Sequence, residues 1–246
     1  MDRSIDIKTL EDEPFINLQD GNDLKDWNKN DEIVYNQQLR QKAKMEFYQN
    51  AFDFLYAHSI KGDYLEFGSH KVRTFRMVLT EARKKNFTDM NFYSFDSFAG
   101  SPDLGHLNQE HNAVYKAGEL STSEELFMNI IKEHSLFIDK VKTIKGFYET
   151  SLNEECKKDF KNNESKISLV TLDCSFYDSF VSAFNFIEDF LQEGTIIYID
   201  DYRVTYKGNP NKGVPKAFSE FAKNSKYKFE PFLDIGWFGK SFIAYK

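Results

Sequence analysis

Three aspartates stand where apolar segments end. "LVTLDCSFYDS" places Asp173 directly after Leu169–Leu172, and "IIYIDDY" places Asp200 and Asp201 directly after Ile196–Ile199. Adjacent carboxylates at the mouth of an apolar strand repel each other and are costly to desolvate, so they call for a counter-charge. Neither segment contains a Lys or Arg. Hard oxygen donors of this kind select Mg²⁺, with Mn²⁺ or Ca²⁺ able to substitute. The competing reading is that Asp200 caps the next segment and Asp201 faces solvent, which leaves Asp173 unexplained.

Two further positions suit a cofactor. "LEFGSHKVRT" turns from strand to helix through Gly68, which lets a ligand approach the backbone and the helix N-terminus. There is no G-x-G-x-x-G: Ser69, His70, Lys71 and Val72 follow Gly68, so a pyrophosphate fits poorly and a cofactor without phosphates fits better. Asp96 closes "NFYSFD" about 28 residues after Gly68, where an acidic residue accepts hydrogen bonds from the ribose hydroxyls of an adenosine cofactor.

These residues need a frame that brings strand ends together. Residues 1 to about 33 are polar and rich in Asp and Asn, which reads as a loosely structured arm or lid. From Glu32 the pattern is helical to about His58, with Met45, Tyr48, Phe52, Leu55 and Tyr56 on one face. Strands and helices then alternate. A strand over Tyr64–Gly68 precedes a helix over Thr74–Lys85, and a strand over Asn91–Asp96 precedes a polar loop from Ala99 to Leu120. A capping box of Ser121 with Glu124 opens the next helix. "VKTIKG", Ile167–Asp173 and "GTIIYIDD" supply strands three to five, with helices over Tyr177–Gln192 and Val214–Lys223. "KYKFEPFL" and "KSFIAYK" close the chain as a strand pair.

Such alternation predicts βαβ units and a mostly parallel sheet, and the last pair, with no helix between its members, adds one antiparallel strand. The expected architecture is α/β: a doubly wound, seven-stranded sheet over residues 61–246, with an N-terminal arm and cap helix over residues 1–60. Ligands bind at the C-terminal edge of such a sheet, where Glu66, Gly68, Asp96, Gly146, Asp173, Asp200 and Asp201 fall.

Composition narrows the class. The 246 residues carry a formal net charge of -7, which argues against a general nucleic-acid binder. Aromatic residues make up 16 %, including 25 Phe and 13 Tyr, so rings fill the core. Cys156 and Cys174 are the two cysteines, too few for a disulfide framework or a structural zinc site. The first residues are acidic and lack an apolar run, so no secretory signal is expected, and no segment approaches the roughly 20 apolar residues of a membrane span. A cytoplasmic protein with no nucleic-acid or membrane partner is expected; a homodimer is left open.

Taken in order, "GDYLEFG", "YSFDSFAGSPD", "KGFYETSL", "LDCSFYDS" and "GTIIYIDDY" make the chain resemble, over roughly residues 62–205, the TylF/MycF-type (macrocin-like) sugar O-methyltransferases. The resemblance implies a class I methyltransferase Rossmann-like fold, S-adenosylmethionine as cofactor and Mg²⁺ as metal. It implies a small-molecule acceptor: a sugar hydroxyl of a nucleotide sugar, a polysaccharide precursor or a glycosylated natural product. It places the metal on Asp173, Asp200 and Asp201, with Asp173 acting in catalysis through it. It places the cofactor among Glu66, Gly68, Ser69, Thr74, Asp96, Ser97, Gly146, Phe147 and Asp173. Two positions depart from the family pattern: Val72 stands where a second glycine is usual, and Ser175 where a second aspartate, a candidate general base, is usual. A serine does not accept a proton at neutral pH without help, so His70, His106 and His111 are the alternative bases. Tyr177 and Tyr202, beside the metal ligands, offer rings for stacking on a sugar or a nucleotide base. An N-methyltransferase, and a non-catalytic sugar- or nucleotide-binding protein of the same fold, remain as other readings. A phosphoryl transferase lacks its P-loop, and an NAD-dependent oxidoreductase lacks its glycine fingerprint.

Overall fold

The computed structural model describes residues 29–102 and 117–246. The arm before residue 29, His106 and His111, and most of the polar loop from Ala99 to Leu120 lie outside the described residues.

Five strands, β1 (Asp63–Phe67), β2 (Phe92–Asp96), β3 (Val141–Lys145), β4 (Ile167–Leu172) and β5 (Ile196–Ile199), are followed by β6 (Lys228–Ile235) and β7 (Gly239–Tyr245). They form one sheet in the order β3-β2-β1-β4-β5-β7-β6. The first five are parallel, and β7 runs antiparallel to both β5 and β6, so a single strand opposes the rest. The order reverses between β1 and β4, the switch point at which open α/β sheets bind ligands.

Helices cover both faces: α1 (Lys29–Ala57), α2 (Arg73–Lys84), α3 (Glu124–His134), α4 (Tyr148–Ser151), α5 (Glu154–Asn162), α6 (Tyr177–Ile187) and α7 (Gly213–Asn224). Burial on both faces explains why "IIYI" is a continuous apolar run and why "ISLVTL" shows no regular apolar–polar alternation. On one side Tyr48, Phe52 and Leu55 of α1 and Phe75 and Leu79 of α2 pack on Tyr64, Leu169 and Ile196. On the other, Phe180, Phe184 and Phe186 of α6 and Phe218 of α7 join Leu65, Phe67, Val170 and Ile197. Rings dominate as expected: Phe67 stacks on Phe95 at 4.5 Å and Phe218 on Phe242 at 4.0 Å.

Side chains along a strand alternate between faces. Tyr64 and Leu169 lie on the α1 side, so Glu66, Thr171 and Asp173 share it; by the same count Ile196 and Tyr198 lead to Asp200. That parity turns the carboxylates toward α1.

Four details differ from the sequence reading. Ser123, not Ser121, caps α3, its Oγ accepting from the Leu126 N–H at 3.2 Å; Glu124 instead accepts from the Thr143 hydroxyl at 2.5 Å. Tyr56 lies outside the buried face of α1, 64 % exposed, because the stripe Tyr48–Phe52–Leu55 leaves it on the flank. Helix α6 ends at Ile187 and tightens into a 3₁₀ turn, Glu188–Phe190, short of Gln192. Helices α4 and α5 were not expected, although Asn153 caps α5 through Cys156 N–H at 3.0 Å, with Glu154 and Glu155 favourably placed in its first turn.

Candidate active site

The C-terminal strand edge opens into a cavity of about 390 Å³. Its floor comes from the ends of β1, β2, β4 and β5, and its wall from the N-terminal half of α1 (Gln37, Arg40, Gln41, Lys44).

At one end Gly68 adopts φ +89°, and a Cβ there would stand 2.1 Å from the Asp173 carbonyl oxygen. Only glycine lets β1 and β4 close to this distance. The chain then makes a short 3₁₀ turn, His70–Val72, with Lys71 and Val72 at φ 57° and 59°. The left-handed region costs a β-branched residue about 1–2 kcal/mol, a strain that a glycine at position 72 would not carry. Val72 keeps that turn and buries its side chain completely in the core.

Asp96, at the end of β2, accepts the Ser69 N–H on Oδ2 and the Phe98 N–H on Oδ1, both at 2.7 Å. Burial pushes its carboxyl pKa up, against the pull of these two bonds. The Ser97 hydroxyl donates to the Gly100 carbonyl at 2.8 Å, and the Gly146 N–H to the Asp96 carbonyl at 2.9 Å. Gly68, Thr74, Asp96, Ser97, Gly146, Phe147 and Asp173 all line the cavity. Glu66 and Ser69 do not. Glu66 is fully buried below, accepting from the Thr74 hydroxyl at 2.8 Å and from the Tyr64 hydroxyl; Ser69 is 2 % exposed, its Oγ accepting from the Ser94 hydroxyl at 2.8 Å. Of the three histidines considered, His70 lines the cavity, 3.1 Å through Nδ1 from the Thr122 hydroxyl. Burial, then Lys71 and Arg73, lowers its pKa and favours the neutral ring.

At the other end one oxygen from each of Asp173, Asp200 and Asp201 falls within 4.8 Å of the others. Two cations that the strand segments did not reveal enter from α1. The Lys44 ammonium donates to Asp200 Oδ2 at 2.7 Å and Asp173 Oδ2 at 3.2 Å; Arg40 Nη2 donates to Asp201 Oδ1 at 2.7 Å. The Arg40 guanidinium also lies over the Phe238 ring at 4.3 Å. Tyr198 donates to Asp200 Oδ1 at 2.6 Å. Burial opposes ionisation of Asp200, yet Lys44 and Arg40 outweigh it and hold that carboxyl below its ordinary range. Burial, then Asp200, push Asp173 well up, and the same two causes raise Asp201. Desolvation pulls Lys44 down, but Asp173 and Asp200 win, so it stays charged.

The donor set matches a hard divalent cation: three carboxylates, no Cys or His. It matches with one condition, since Lys44 already holds Asp173 and Asp200. Tyr177 directs its hydroxyl to Glu220 rather than to the three carboxylates, while Tyr202 packs against Phe242 at 5.9 Å. Arg40, Gln41 and Lys44 were missed by reading strand ends alone. The available signal was their spacing, which continues the inward stripe of α1 with polar residues.

A seven-stranded sheet of this order, with a glycine turn after β1 and an acidic residue closing β2, is a class I Rossmann-like frame, and the family match makes the chain an S-adenosylmethionine-dependent methyltransferase. The Macrocin-O-methyltransferase (TylF) family description matches residues 11–243, and the chain belongs to that family. Among solved structures it is similar to the O-methyltransferase NovP, 17 % identical, covering 83 % of this chain and 80 % of that one with a TM-score of 0.67. CalS11, a calicheamicin methyltransferase, is 14 % identical over 97 % and 89 % with a TM-score of 0.66. TomG from Streptomyces achromogenes, solved with SAM, is 11 % identical over 80 % and 79 % with a TM-score of 0.50. At these identities the likeness is one of fold. No curated protein sequence matches the chain. Among the described residues no helix is long and apolar enough to cross a membrane.

Proposed function

We propose that the protein transfers a methyl group from S-adenosylmethionine to a sugar hydroxyl, with a divalent cation, Mg²⁺ by preference, held by Asp173, Asp200 and Asp201. The observation that carries this is the adjacency, in one cavity, of the Gly68–Asp96 end and the three-carboxylate end. The family membership supports the reaction, and CalS11, a TDP-rhamnose 3′-O-methyltransferase, supports a sugar or nucleotide-sugar acceptor.

The chain's residues have separable tasks. Gly68 admits the cofactor to the strand end, and Asp96, anchored by two backbone N–H groups, presents its remaining lone pairs to the ribose. Asp173 stands between the two ends, its backbone against Gly68 and its carboxylate in the cluster, so it fixes the spacing between donor and acceptor. A bound divalent cation would polarise an acceptor hydroxyl and lower its pKa. Helix α1 walls this end through Arg40, Gln41 and Lys44.

The test is a screen of sugar and nucleotide-sugar acceptors with methyl-labelled S-adenosylmethionine, run with Mg²⁺ and with EDTA. Label transfer that EDTA abolishes and Mg²⁺ restores is expected. Full transfer in EDTA would remove the metal; transfer to an amine and to no hydroxyl would replace the O-methyl reading.

A further inference from the structure

The three carboxylates already hold a cation, and it is covalently part of the chain. Lys44 is 6 % exposed and bridges two members of the cluster, donating to Asp173 Oδ2 and to Asp200 Oδ2. Asp200 Oδ1 is taken by Tyr198 and Asp201 Oδ1 by Arg40. A metal ion that gathers all three carboxylates therefore meets Lys44 first.

Charge decides between addition and exchange. Counted in their ionised forms, the forms that would hold a metal, three carboxylates against Lys44 and Arg40 leave one net negative charge. Adding a divalent cation while both stay makes a buried positive site, with the ammonium and the metal repelling each other at short range. Moving Lys44 off the carboxylates restores balance, provided the ammonium finds another acceptor.

Such an acceptor is present. Gln41 is 8 % exposed, lines the same cavity, and its Oε1 accepts no hydrogen bond among the described residues. A buried amide oxygen left without a donor is costly, so this one points to a partner that arrives in another state. Gln41 precedes Lys44 by three residues on α1, the spacing at which helical side chains are neighbours.

We propose that Lys44 is a tethered counter-ion that exchanges with the divalent metal, its ammonium passing from Asp173 and Asp200 to Gln41 Oε1 when the metal binds. The proposal rests on the metal reading given above. It makes α1 the element that senses metal loading: the residue the metal displaces belongs to the wall of the acceptor site.

Mn²⁺ binding to the full-length protein without cofactor or acceptor, followed by the loss of the free-ion electron paramagnetic resonance signal, tests it. Lys44→Met removes the competitor and should tighten Mn²⁺ binding about tenfold or more. Gln41→Leu removes the receiving acceptor and should weaken it several-fold. Binding to the wild type that Lys44→Met leaves equal or weakens overturns the exchange and spares the metal site. Absence of binding to wild type and to Lys44→Met alike, at millimolar Mn²⁺, overturns the metal reading and the exchange with it. Should Lys44→Met fail to fold by circular dichroism, Lys44→Gln, which keeps a polar contact without the charge, carries the same expectation and the same refutation.

Discussion

Replacing Glu66 with glutamine separates two roles that a carboxylate at the end of β1 can have. Burial raises the Glu66 pKa from the ordinary 4.5 to about 7, against the hydrogen bonds from Tyr64 and Thr74. The bonding pattern fits a protonated carboxyl: Tyr64 has one hydroxyl proton and two acceptors, Glu66 Oε2 and Thr171 Oγ1. On protonation the Tyr64–Glu66 bond reverses: the carboxyl proton goes to the Tyr64 oxygen, and the Tyr64 proton turns to Thr171 at 3.0 Å, which in turn meets Tyr48 at 2.9 Å. A carboxyl whose folded pKa lies above its unfolded value binds its proton more tightly in the native state. Its stabilising contribution is complete below about pH 4.5 and is lost as pH rises through about 7. At roughly 1.4 kcal/mol per pH unit the whole effect is about 3 kcal/mol, of which about 2–3 kcal/mol falls between pH 5 and 8.5. Glu66→Gln has no such proton to lose. Urea denaturation of both proteins at pH 5 and pH 8.5 should show the variant gaining about 2–3 kcal/mol on the wild type over that interval, or roughly 5–10 °C in melting temperature. Every other titrating group cancels in the difference. A variant-minus-wild-type difference that stays constant with pH would refute the reasoning, because Glu66 would then be ionised in the fold. S-adenosylhomocysteine should bind the variant within a few-fold of wild type, since Glu66 does not line the cavity; loss of binding would return Glu66 to the cofactor contact that the family resemblance implies.

Other substitutions give sharp outcomes. S-adenosylhomocysteine at a hundredfold excess over its dissociation constant should stabilise the wild type by about 2.7 kcal/mol, and Asp96→Ala should abolish that thermal shift; an undiminished shift places the ribose elsewhere. Asp200→Asn should lower the melting temperature, by about 3–5 kcal/mol in stability, because it strips Lys44 of its shortest partner. That penalty is present above pH 3.8 and closes as pH falls through the lower folded value of Asp200, so an unchanged or raised melting temperature at pH 7 contradicts the ion-pair account. Gly68→Ala should destabilise severely, since its Cβ would stand 2.1 Å from a backbone oxygen, and a cofactor-binding, wild-type-stable variant by calorimetry would refute that contact.

Much of this architecture was legible because each βαβ unit writes its own local pattern. "YLEF", "ISLVTL" and "IIYI" are buried on both faces, so they read as largely apolar segments with no alternating polar face, and their ends marked Gly68, Asp173, Asp200 and Asp201 without any knowledge of pairing. Asp96 was found the same way. What stayed hidden depends on depth or on distance along the chain. Whether Glu66 faces the cavity or the core is set by how Thr74 and Tyr64 close over it, which no local pattern records. The Ser121 cap failed because Ser123 offers the same chemistry two residues later, and only backbone geometry chooses between them: Ser123 is extended, with ψ 151°.

The least legible feature is the counter-charge, and the reason lies in α1. Lys44 and Asp200 are 156 residues apart, and Arg40 and Asp201 are 161 apart, so no strand-end segment contains its own cation. Yet α1 carries a readable anomaly. Its inward stripe runs Gln41, Lys44, Tyr48, Phe52, Leu55 at spacings of three and four, and all five are buried. An amphipathic helix on a sheet shows apolar residues along its whole inward stripe; this one turns polar for its N-terminal part. A long cation can occupy such a stripe only where anions wait opposite, because an unpaired buried charge is prohibitively costly. The polar part of the stripe must therefore overhang the sheet edge, where the strands have ended and their aspartates begin. Two patterns that look like violations when read separately, adjacent buried carboxylates and cations on the inner face of a helix, become mutually required once the helix is laid across β1, β4 and β5. The same step implies that the charge state of the three aspartates and the pose of α1 are coupled, since neither set of charges is stable without the other or a substitute for it.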